Sequence, residues 1–448
     1  MKLNILQKKY PRFVYEKYSS NNSGKDLKIS FYFKIEPDIS FRPKVVIKDC
    51  PQKNLTEIDS LVFHLGLIEM ISYWKATCSK VIEIKAGYLS KEQILWWQDL
   101  IQKGLGQFFY ENRIPFQKPK FLVRGSFTKP ILVGKGKGIL VPIGGGKDSA
   151  VALELLKRTK ERINCICLNP TITAKRIMET GKCRDSIIGT RKIDERLLDL
   201  NRKGFLNGHT PISAYFAFFC TLAAALFGRK YIALANERSA NEGNVKYMGK
   251  TINHQWSKSF EFENKFRSYS KKYLAKNIEY FSILRPLYEI QIAKLFSKYP
   301  KYFPVFLSCN EAYKTASGTK KPTKKWCGKC SKCLFAFIIL YPFLKEKELL
   351  KIFKKNLFED KNLLPIMKEL IGERGFKPFE CVGTQVESLV AFYLSWKKSE
   401  SKPFLLKYFE EKILPKYPNL EQESKEILNS WNKQNNVPFY LTNYLKVL

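Results

Sequence analysis

The sequence predicts an α/β protein with a doubly wound, mostly parallel sheet, an N-terminal α+β domain and a helical C-terminal region. Three observations support this prediction. From residue 138 onward, short apolar runs alternate with amphipathic segments, as in sheets whose parallel strands are connected by helices. The residues before about 133 mix strand-like alternation with helical periodicity. Beyond Cys333, the pattern is helical almost to the last residue.

The length of 448 residues corresponds to about two or three domains, at roughly 100–200 residues per domain. We expect an N-terminal α+β domain at 1–133, a central domain at 134–345 and a helical region at 346–448. Residues 133–138 are rich in glycine and lysine, which is typical of a turn or a domain boundary. Their glycines lack the spacing of a dinucleotide-binding fingerprint.

Hydrophobic periodicity predicts the elements in order. Alternation predicts N-terminal strands at 28–35 and 43–47, and a helical period predicts helices at 60–77 and 91–111. In the central domain, the same patterns predict strands at 139–143, 163–168 and 231–235 and helices at 149–160, 193–200 and 211–227. The last helix is short for a membrane span and contains Ser213 and Thr221, so we expect it to be buried in the core.

The charge is strongly positive but diffuse. The chain has 78 Lys+Arg against 41 Asp+Glu, a formal net charge of +37, and only 16 of the 78 are Arg. Arginine supplies most bidentate contacts to phosphates and bases, so a scattered lysine excess favours solvated surfaces over a dedicated nucleic-acid site. We therefore expect no nucleic-acid partner and no membrane association.

The N-terminus and the cysteines predict a cytoplasmic protein. Lys8, Lys9 and Arg12 follow soon after Met1, and no apolar segment typical of a signal peptide is present. The eleven cysteines are odd in number, and three of them are closely spaced. Such a pattern favours metal binding over a disulfide framework.

A glycine-rich turn lies between the predicted strand 139–143 and the next helix. It consists of Gly144, Gly145, Gly146, Lys147, Asp148 and Ser149. Glycines let the backbone approach an anion, and a helix N-terminus favours phosphate. The turn is not a Walker A loop, because Asp148 follows the lysine where Ser or Thr is needed. The alternative is a glycine-rich turn without a ligand.

This turn resembles the pyrophosphate loop (PP-loop) of the N-type ATP pyrophosphatases, written Ser-Gly-Gly-x-Asp-Ser. Gly144 departs from the usual first serine and removes one hydroxyl, whereas Gly145, Gly146, Asp148 and Ser149 fit. The resemblance implies that the turn grips the pyrophosphate of ATP.

Four cysteines have the spacing of a metal site. Cys327, Cys330 and Cys333 form C-x2-C-x2-C, and Cys309 lies 18 residues upstream of Cys327. Four thiolates can complete a tetrahedron around zinc, and such a closed site is structural. An iron–sulfur cluster is the alternative, although Phe337 stands where ferredoxins place their next cysteine. A PP-loop with four cysteines resembles the layout of the 7-cyano-7-deazaguanine synthases.

Three further strings contain candidate site residues. Residues 236–244, after the predicted strand 231–235, should face the ligand crevice of an open sheet. Their carboxylates and amides could hold Mg²⁺ or a substrate, and the alternative is a solvated loop. Residues 253–259 contain His254, and residues 377–384 contain Cys381. Such residues are more often a hydrogen-bonded histidine and a small buried side chain than catalytic groups.

Together these strings resemble the MurL family, the UDP-N-acetylmuramoyl-L-alanyl-L-glutamate epimerases of peptidoglycan synthesis. The matching segments are residues 144–149, 236–244, 253–259, 327–333 and 377–384. They span about residues 138 to 390, whereas the first 130 and the last 50 residues add little to the match.

The resemblance implies inversion of the terminal L-glutamate of UDP-MurNAc-L-Ala-L-Glu, with ATP and Mg²⁺, and release of AMP and pyrophosphate. Adenylation would neutralise the carboxylate before the α-proton is removed. The resemblance implies that the glycine turn binds ATP through Gly144, Gly145, Gly146, Lys147, Asp148 and Ser149, and that Asp148 holds Mg²⁺ with Glu237 or Glu242. It implies substrate binding by Asn236, Arg238, Asn241 and Lys258. The candidates for proton transfer are His254, Cys381 and Cys183.

Two alternatives remain open at the level of sequence. One is another adenylating amide or nitrile synthase of the deazaguanine type, and the other is a tRNA-modifying PP-loop protein. The sequence indicates neither the oligomeric state nor the role of the N-terminal domain.

Overall fold

One large sheet runs through the N-terminal and central parts of the protein. The computed structural model describes residues 2–51, 54–125, 136–313 and 325–445. Within these ranges the strands are β1 (Arg12–Ser23), β2 (Asp26–Ile35), β3 (Ile39–Phe41), β4 (Lys44–Ile47), β5 (Val81–Ile84), β6 (Lys120–Val123), β7 (Ile139–Pro142), β8 (Ile163–Leu168), β9 (Ile187–Lys192), β10 (Tyr231–Leu234), β11 (Val245–Tyr247), β12 (Lys250–Ile252) and β13 (Glu279–Ser282). All except the β11–β12 hairpin belong to the large sheet.

Helices cover the sheet and form most of the C-terminal region. They are α1 (Leu3–Lys9), α2 (Asp59–Trp74), α3 (Lys91–Gly104), α4 (Gly106–Glu111), α5 (Lys147–Leu156), α6 (Ile172–Thr180), α7 (Glu195–Arg202), α8 (Ile212–Leu226), α9 (Phe260–Tyr273), α10 (Glu289–Phe296), α11 (Asn310–Tyr313), α12 (Ser331–Leu340), α13 (Glu346–Phe353), α14 (Leu364–Leu370), α15 (Gln385–Lys398), α16 (Phe404–Tyr408), α17 (Leu420–Asn429) and α18 (Phe439–Leu445).

The central half of the sheet is parallel and contains a topological switch point. Its order is β13-β10-β7-β8-β9, with every neighbouring pair parallel. The strands that follow β7 lie first on one side of it, as β8 and β9, and then on the other, as β10 and β13. In open α/β sheets, ligands bind at such a point, outside the carboxyl ends of the strands. The loops after β7 and β10 therefore meet where a site is expected.

The N-terminal half continues the same sheet. The β1–β2 hairpin is antiparallel, β1 pairs in parallel with β5, and β5 pairs in parallel with β6. An antiparallel pairing of β4 with β9, in which Val45 opposes Arg191, joins the two halves. The mixed α/β fold, the mostly parallel sheet and the helical C-terminal region are thus confirmed. The domain bounds remain a prediction, and residues 133–135 of the glycine–lysine segment lie outside the described residues.

Two hydrophobic clusters cover the opposite faces of the sheet. Along β7, Leu140 belongs to the cluster that contains α2 and α8, whereas Ile139 and Val141 belong to the cluster that contains α5, α10, α12 and α15. This alternation follows from the two-residue period of a strand. The apolar helix α8 is almost wholly buried and packs against α2, as the sequence predicts. Among the described residues, no helix has the length and apolarity needed to cross a bilayer.

The structure differs from the prediction in the N-terminal half. The single helix expected at 91–111 is interrupted at Leu105 and becomes α3 and α4. Gly104 packs so closely against Pro211 that a Cβ would lie 3.0 Å from the proline ring. Strands β1, β3, β5 and β6 were not predicted. In β1, the exposed second half has no apolar alternation.

Candidate functional site

A cavity of about 320 Å³ opens at the switch point of the sheet. It lies at the carboxyl ends of β7 and β10, where polar loops follow both strands. Predicted site residues lining it are Gly144, Gly146, Asp148, Ser149, Asn236, Lys258 and Cys381, and further lining residues include Ser213, Ser308, Asn310 and Lys332. The cavity thus brings together the glycine turn and parts of the 236–244, 253–259 and 377–384 strings, which are up to about 230 residues apart.

The glycine turn needs at least one of its glycines for steric reasons. Gly145 has φ +95°, and a Cβ there would lie 3.0 Å from the backbone nitrogen of Ala174. Gly146 is the N-cap of α5, so the positive end of this helix meets the cavity. A Cβ on Gly144 would meet nothing within 4 Å. The missing serine hydroxyl at this position therefore has no steric cause.

Lys147 does not line the cavity. Its ammonium group is buried and pairs with the carboxylates of Asp148 and Glu289. Despite burial, these two charges raise the pKa of Lys147, and the lysine, with Lys332, lowers the pKa of Glu289. A ligand in the cavity therefore meets Asp148 and the other lysines before it meets Lys147.

Glu237 is a buried carboxyl directly behind this cluster. It is 3% exposed, and Arg285 donates a 2.6 Å hydrogen bond to its backbone carbonyl. Burial and the neighbouring Glu289 carboxylate raise the pKa of Glu237 to about 7. The pKa values of the Glu237 and Glu289 carboxyls are thus shifted in opposite directions, an arrangement that is common in sites of acid–base chemistry.

Two lysines face the cavity beside Cys381. The Nζ of Lys258 lies 3.2 Å from the Sγ of Cys381, and Lys332 donates a hydrogen bond to the backbone carbonyl of Cys381. Burial alone would raise the pKa of the Cys381 thiol, but Lys258 and His254 outweigh it and lower this pKa to about 5. Cys381 is therefore a thiolate at neutral pH, which distinguishes it from an inert buried cysteine.

His254 also contacts the sulfur of Cys381. Its Nε2 lies 3.9 Å from the Sγ of Cys381, and its Nδ1 contacts the Oε1 of Gln107. Asn244 accepts a hydrogen bond from the backbone nitrogen of His254 and donates to the carbonyl of Pro378. These bonds hold the three strings together around the sulfur.

Other predicted residues lie outside the cavity lining. The guanidinium of Arg238 stacks over Tyr288, and Asn241 accepts a hydrogen bond from the backbone of Phe260. Glu242 pairs with Lys377 at 3.2 Å. In this structure, all three organise the loops around the site.

Cys183 forms a disulfide with Cys165. The sequence analysis treated Cys183 as a candidate for proton transfer and favoured metal binding over disulfides. The candidacy of Cys183 for proton transfer is therefore wrong, because Cys183 has no free thiol in the structure, whereas the expected metal site is a separate set of four cysteines.

The four clustered cysteines converge as expected. The sulfurs of Cys309, Cys327, Cys330 and Cys333 all lie within 4.8 Å of one another. The Cys309–Cys330 and Cys327–Cys333 distances are 3.9 and 3.6 Å. A tetrahedral zinc with Zn–S bonds of ~2.3 Å separates its sulfurs by about 3.8 Å. The donor set and its spacing therefore fit a four-coordinate metal ion such as zinc.

The cysteine cluster and the cavity share α12. Lys332 lies between Cys330 and Cys333 at the start of this helix, and its backbone nitrogen donates a 2.6 Å bond to Glu380. Its side chain reaches Cys381 and comes within 3.7 Å of Glu289. Folding of the metal-site segment therefore fixes one wall of the cavity.

Sequence reasoning missed Gln107, Glu289 and Lys332. Gln107 and Glu289 lie in helices without a recognisable motif, and each meets its partner across more than 140 residues. Lys332 lies inside the cysteine motif, and the motif predicts a role only for its cysteines. Only the proximity of Lys332 to ligand cysteines could have marked it.

The fold and site define an α/β protein with a glycine turn at its switch point and a thiolate cluster joined to the same cavity. Family models extend this description. The model of the MurL N-terminal domain matches residues 5–283, and that of the MurL C-terminal domain matches residues 305–424. The chain belongs to the MurL family, and the resemblance drawn from the sequence is confirmed.

Relatives from three bacteria support the assignment. Each carries the name UDP-N-acetyl-alpha-D-muramoyl-L-alanyl-L-glutamate epimerase. The protein of Xanthomonas oryzae pv. oryzae (strain MAFF 311018) is 34% identical over 78% of this chain and 77% of its own. The protein of Salinispora tropica is 34% identical over 75% and 73%, and that of Micromonospora sp. is 33% identical over 74% and 73%. No solved structure matches the chain.

Proposed function

We propose that the protein is an ATP-dependent epimerase that inverts the terminal L-glutamate of UDP-MurNAc-L-Ala-L-Glu to D-glutamate in peptidoglycan precursor synthesis. Its membership of the MurL family and the names of its relatives support this function. The observation that carries it is one cavity that contains both an anion-binding type of turn and a thiolate held between a lysine and a histidine.

The glycine turn is the proposed ATP site, of the PP-loop type. Gly144, Gly145, Gly146 and Ser149 would contact the pyrophosphate at the start of α5, and Asp148 would hold Mg²⁺, with Glu237 as a further carboxyl candidate. Bound Mg²⁺ would neutralise phosphate charge. Lys147 would act by holding Asp148 and Glu289 in place, since its ammonium group is buried between them.

ATP serves as a co-substrate that activates the α-carboxylate of the glutamyl residue. Transfer of AMP to a carboxylate oxygen yields an acyl-adenylate and releases pyrophosphate. The activated carbonyl no longer carries a full negative charge, so removal of the α-proton becomes feasible. Lys258 and Lys332 would stabilise negative charge on the reacting oxygens, and hydrolysis would release AMP and the D-glutamyl product.

Cys381 and His254 are the proposed proton-transfer groups. Two bases on opposite faces of one carbon, each ~3–3.5 Å away, would stand about 6–7 Å apart. Sγ and Nε2 are 3.9 Å apart, which favours one acid–base unit over a pair that flanks the carbon.

The cysteine cluster is the proposed site of a structural zinc ion, with an iron–sulfur cluster as the alternative. Four thiolate ligands leave no open position for a substrate. The protein would act in the cytoplasm, where ATP and nucleotide-sugar precursors are available.

The test is incubation of the protein with ATP, Mg²⁺ and UDP-MurNAc-L-Ala-L-Glu. We expect stoichiometric AMP and, after acid hydrolysis, D-glutamate. Formation of AMP with tRNA, but none with this substrate, would instead support a tRNA-modifying enzyme.

A further inference from the structure

Gln107 belongs to the N-terminal part of the chain, yet it contacts the histidine of the cavity. It lies on α4, is 8% exposed, and its Oε1 is 2.5 Å from the Nδ1 of His254. The two residues are 147 positions apart. The N-terminal part of the chain therefore contributes a side chain to the centre around Cys381.

A second hydrogen bond fixes the direction of the first. The Nε2 of Gln107 donates to the Oε1 of Glu111, 2.7 Å away on the same helix. An ionised carboxylate can only accept, so the amide nitrogen faces Glu111 and the amide oxygen faces His254. The Nδ1 of His254 must then carry a hydrogen. Its Nε2, 3.9 Å from the Sγ of Cys381, is left as the nitrogen that exchanges a proton with the sulfur.

A second histidine lies beside His254. The His209 ring lies 4.8 Å from that of His254. Burial, with His254 and Lys75 nearby, lowers the pKa of His209 well below its usual range, so His209 stays neutral. Lys75 donates to the carbonyl of Gly208 and to the Oγ1 of Thr210.

The charged groups around the centre come from several elements. Glu111 lies behind Gln107 and Lys75 lies behind His209, while Lys258 and Lys332 approach Cys381 from the other side. Of these charged groups, Glu111 is the one that hydrogen-bonds to Gln107, which makes it the anchor of the arrangement.

The helix α4 also supports the loop that carries Cys381. The Tyr110 ring packs against Phe376 at 5.8 Å and against Phe379 at 5.4 Å. Phe379 in turn lies 6.5 Å from the His254 ring. One short helix therefore positions both members of the sulfur–imidazole pair.

We propose that Gln107 is a positioning residue of the epimerising centre: it holds the Nδ1–H of His254, so that Nε2 and the Sγ of Cys381 pass one proton between them. This inference rests on the proposed function, in which Cys381 and His254 transfer the α-proton. When the sulfur takes up the α-proton, its thiolate becomes a thiol. Nε2 then takes this proton from the thiol, or the thiol returns it to the α-carbon of the activated glutamyl residue, and no electrons are exchanged.

The test compares three variants. Gln107→Leu removes the acceptor at similar volume, and Gln107→Glu keeps an oxygen acceptor. Gln422→Leu is the matched control, because Gln422 makes the same bond to a glutamate four residues on, Glu426, at 2.8 Å on the exposed face of α17. For each, we would measure kcat and KM of epimerisation, AMP formation, and the pH profile of Cys381 alkylation by iodoacetamide, read from its peptide by mass spectrometry.

For Gln107→Leu we expect kcat to fall at least ~10-fold, as for loss of a base-orienting group, with KM and AMP formation within about twofold of the wild type. The alkylation profile should move to higher pH, because His254, which together with Lys258 lowers the pKa of Cys381, is no longer held in place by Gln107. Gln107→Glu should retain alkylation at low pH and part of the activity, and Gln422→Leu should match the wild type.

An unchanged kcat and an unchanged alkylation profile in Gln107→Leu would overturn the proposal. Equal loss of AMP formation and epimerisation would also overturn it, because it would assign Gln107 to folding or substrate binding. If the wild type forms no AMP, the proposed function fails, while the alkylation profiles still decide whether Gln107 controls the Cys381–His254 pair.

Discussion

Five cysteines lie around α12 in two different settings. Cys309, Cys327, Cys330 and Cys333 face one another, with sulfurs within 4.8 Å. Cys381 instead faces Lys258 at 3.2 Å and His254 at 3.9 Å. Thiols that converge on each other share a metal ion, whereas a thiol beside a cation is stabilised as a reactive thiolate. The same side chain is therefore structural in one setting and reactive in the other.

Lys332 connects the two settings. It stands between two of the clustered cysteines and donates a hydrogen bond to the carbonyl of Cys381. We therefore expect substitution of a clustered cysteine to alter the cavity as well, whereas substitution of Cys381 should leave the cluster intact.

The largest effect is expected for Cys330→Ser. Loss of one thiolate should remove the bound metal and lower the melting temperature by on the order of 10 °C, since metal binding in closed thiolate sites contributes to folding directly. Metal content by mass spectrometry and a thermal unfolding curve check this. Cys381→Ser is the control and should keep both values. Equal metal content in Cys330→Ser and Cys381→Ser would show that the clustered cysteines and Cys381 do not differ in metal binding.

A smaller effect is expected for Lys258→Met, which should preserve the fold while it removes the cation beside Cys381. The pKa of Cys381 is lowered to about 5, so its thiolate is present above pH 5 and is lost as the pH falls through that value. Iodoacetamide should thus react with wild-type Cys381 at a nearly constant rate from pH 6 to 8.

In Lys258→Met the midpoint should move toward the ordinary pKa of a thiol, and alkylation at pH 6 should fall by at least ~10-fold. The cysteines of the cluster, followed as other peptides in the same digest, provide the internal control. An unmoved midpoint would show that Lys258 does not set the reactivity of Cys381.

The smallest effect is expected for Gly144→Ser. A Cβ at this position meets nothing within 4 Å, so the hydroxyl typical of PP-loops should be accommodated, with KM for ATP within about threefold of the wild type. Gly145→Ala is the contrast, because Gly145 has φ +95° and a Cβ would lie 3.0 Å from the Ala174 backbone. It should weaken ATP binding strongly, measured by titration calorimetry. Equal behaviour of the two variants would argue against the glycine turn as the ATP site.

The sequence predicts those parts of the site that depend on local spacing. The glycine turn, the C-x2-C-x2-C motif and the strands on either side of the switch point are visible because their residues are neighbours in the chain. The resemblance to MurL could be drawn from short strings for the same reason.

The remaining parts depend on tertiary packing. Burial of Lys147 between Asp148 and Glu289 follows from the docking of α10 against α5. The contact of Gln107 with His254 follows from the packing of α4 against the segment around Ile252 and His254. Nothing in the periodicity of α4 or α10 indicates these partners. The disulfide of Cys183 with Cys165 joins residues 18 apart that share no motif.

The most direct test of the central claim, that one cavity performs both activation and inversion, is a reaction in D₂O with wild-type protein and Cys381→Ser. Each is given ATP, Mg²⁺ and UDP-MurNAc-L-Ala-L-Glu, and AMP, D-glutamate and α-deuterium are measured after hydrolysis. The wild type should form AMP and α-deuterated D-glutamate, whereas Cys381→Ser should form AMP with at least ~100-fold less D-glutamate. Full inversion by Cys381→Ser would contradict the account.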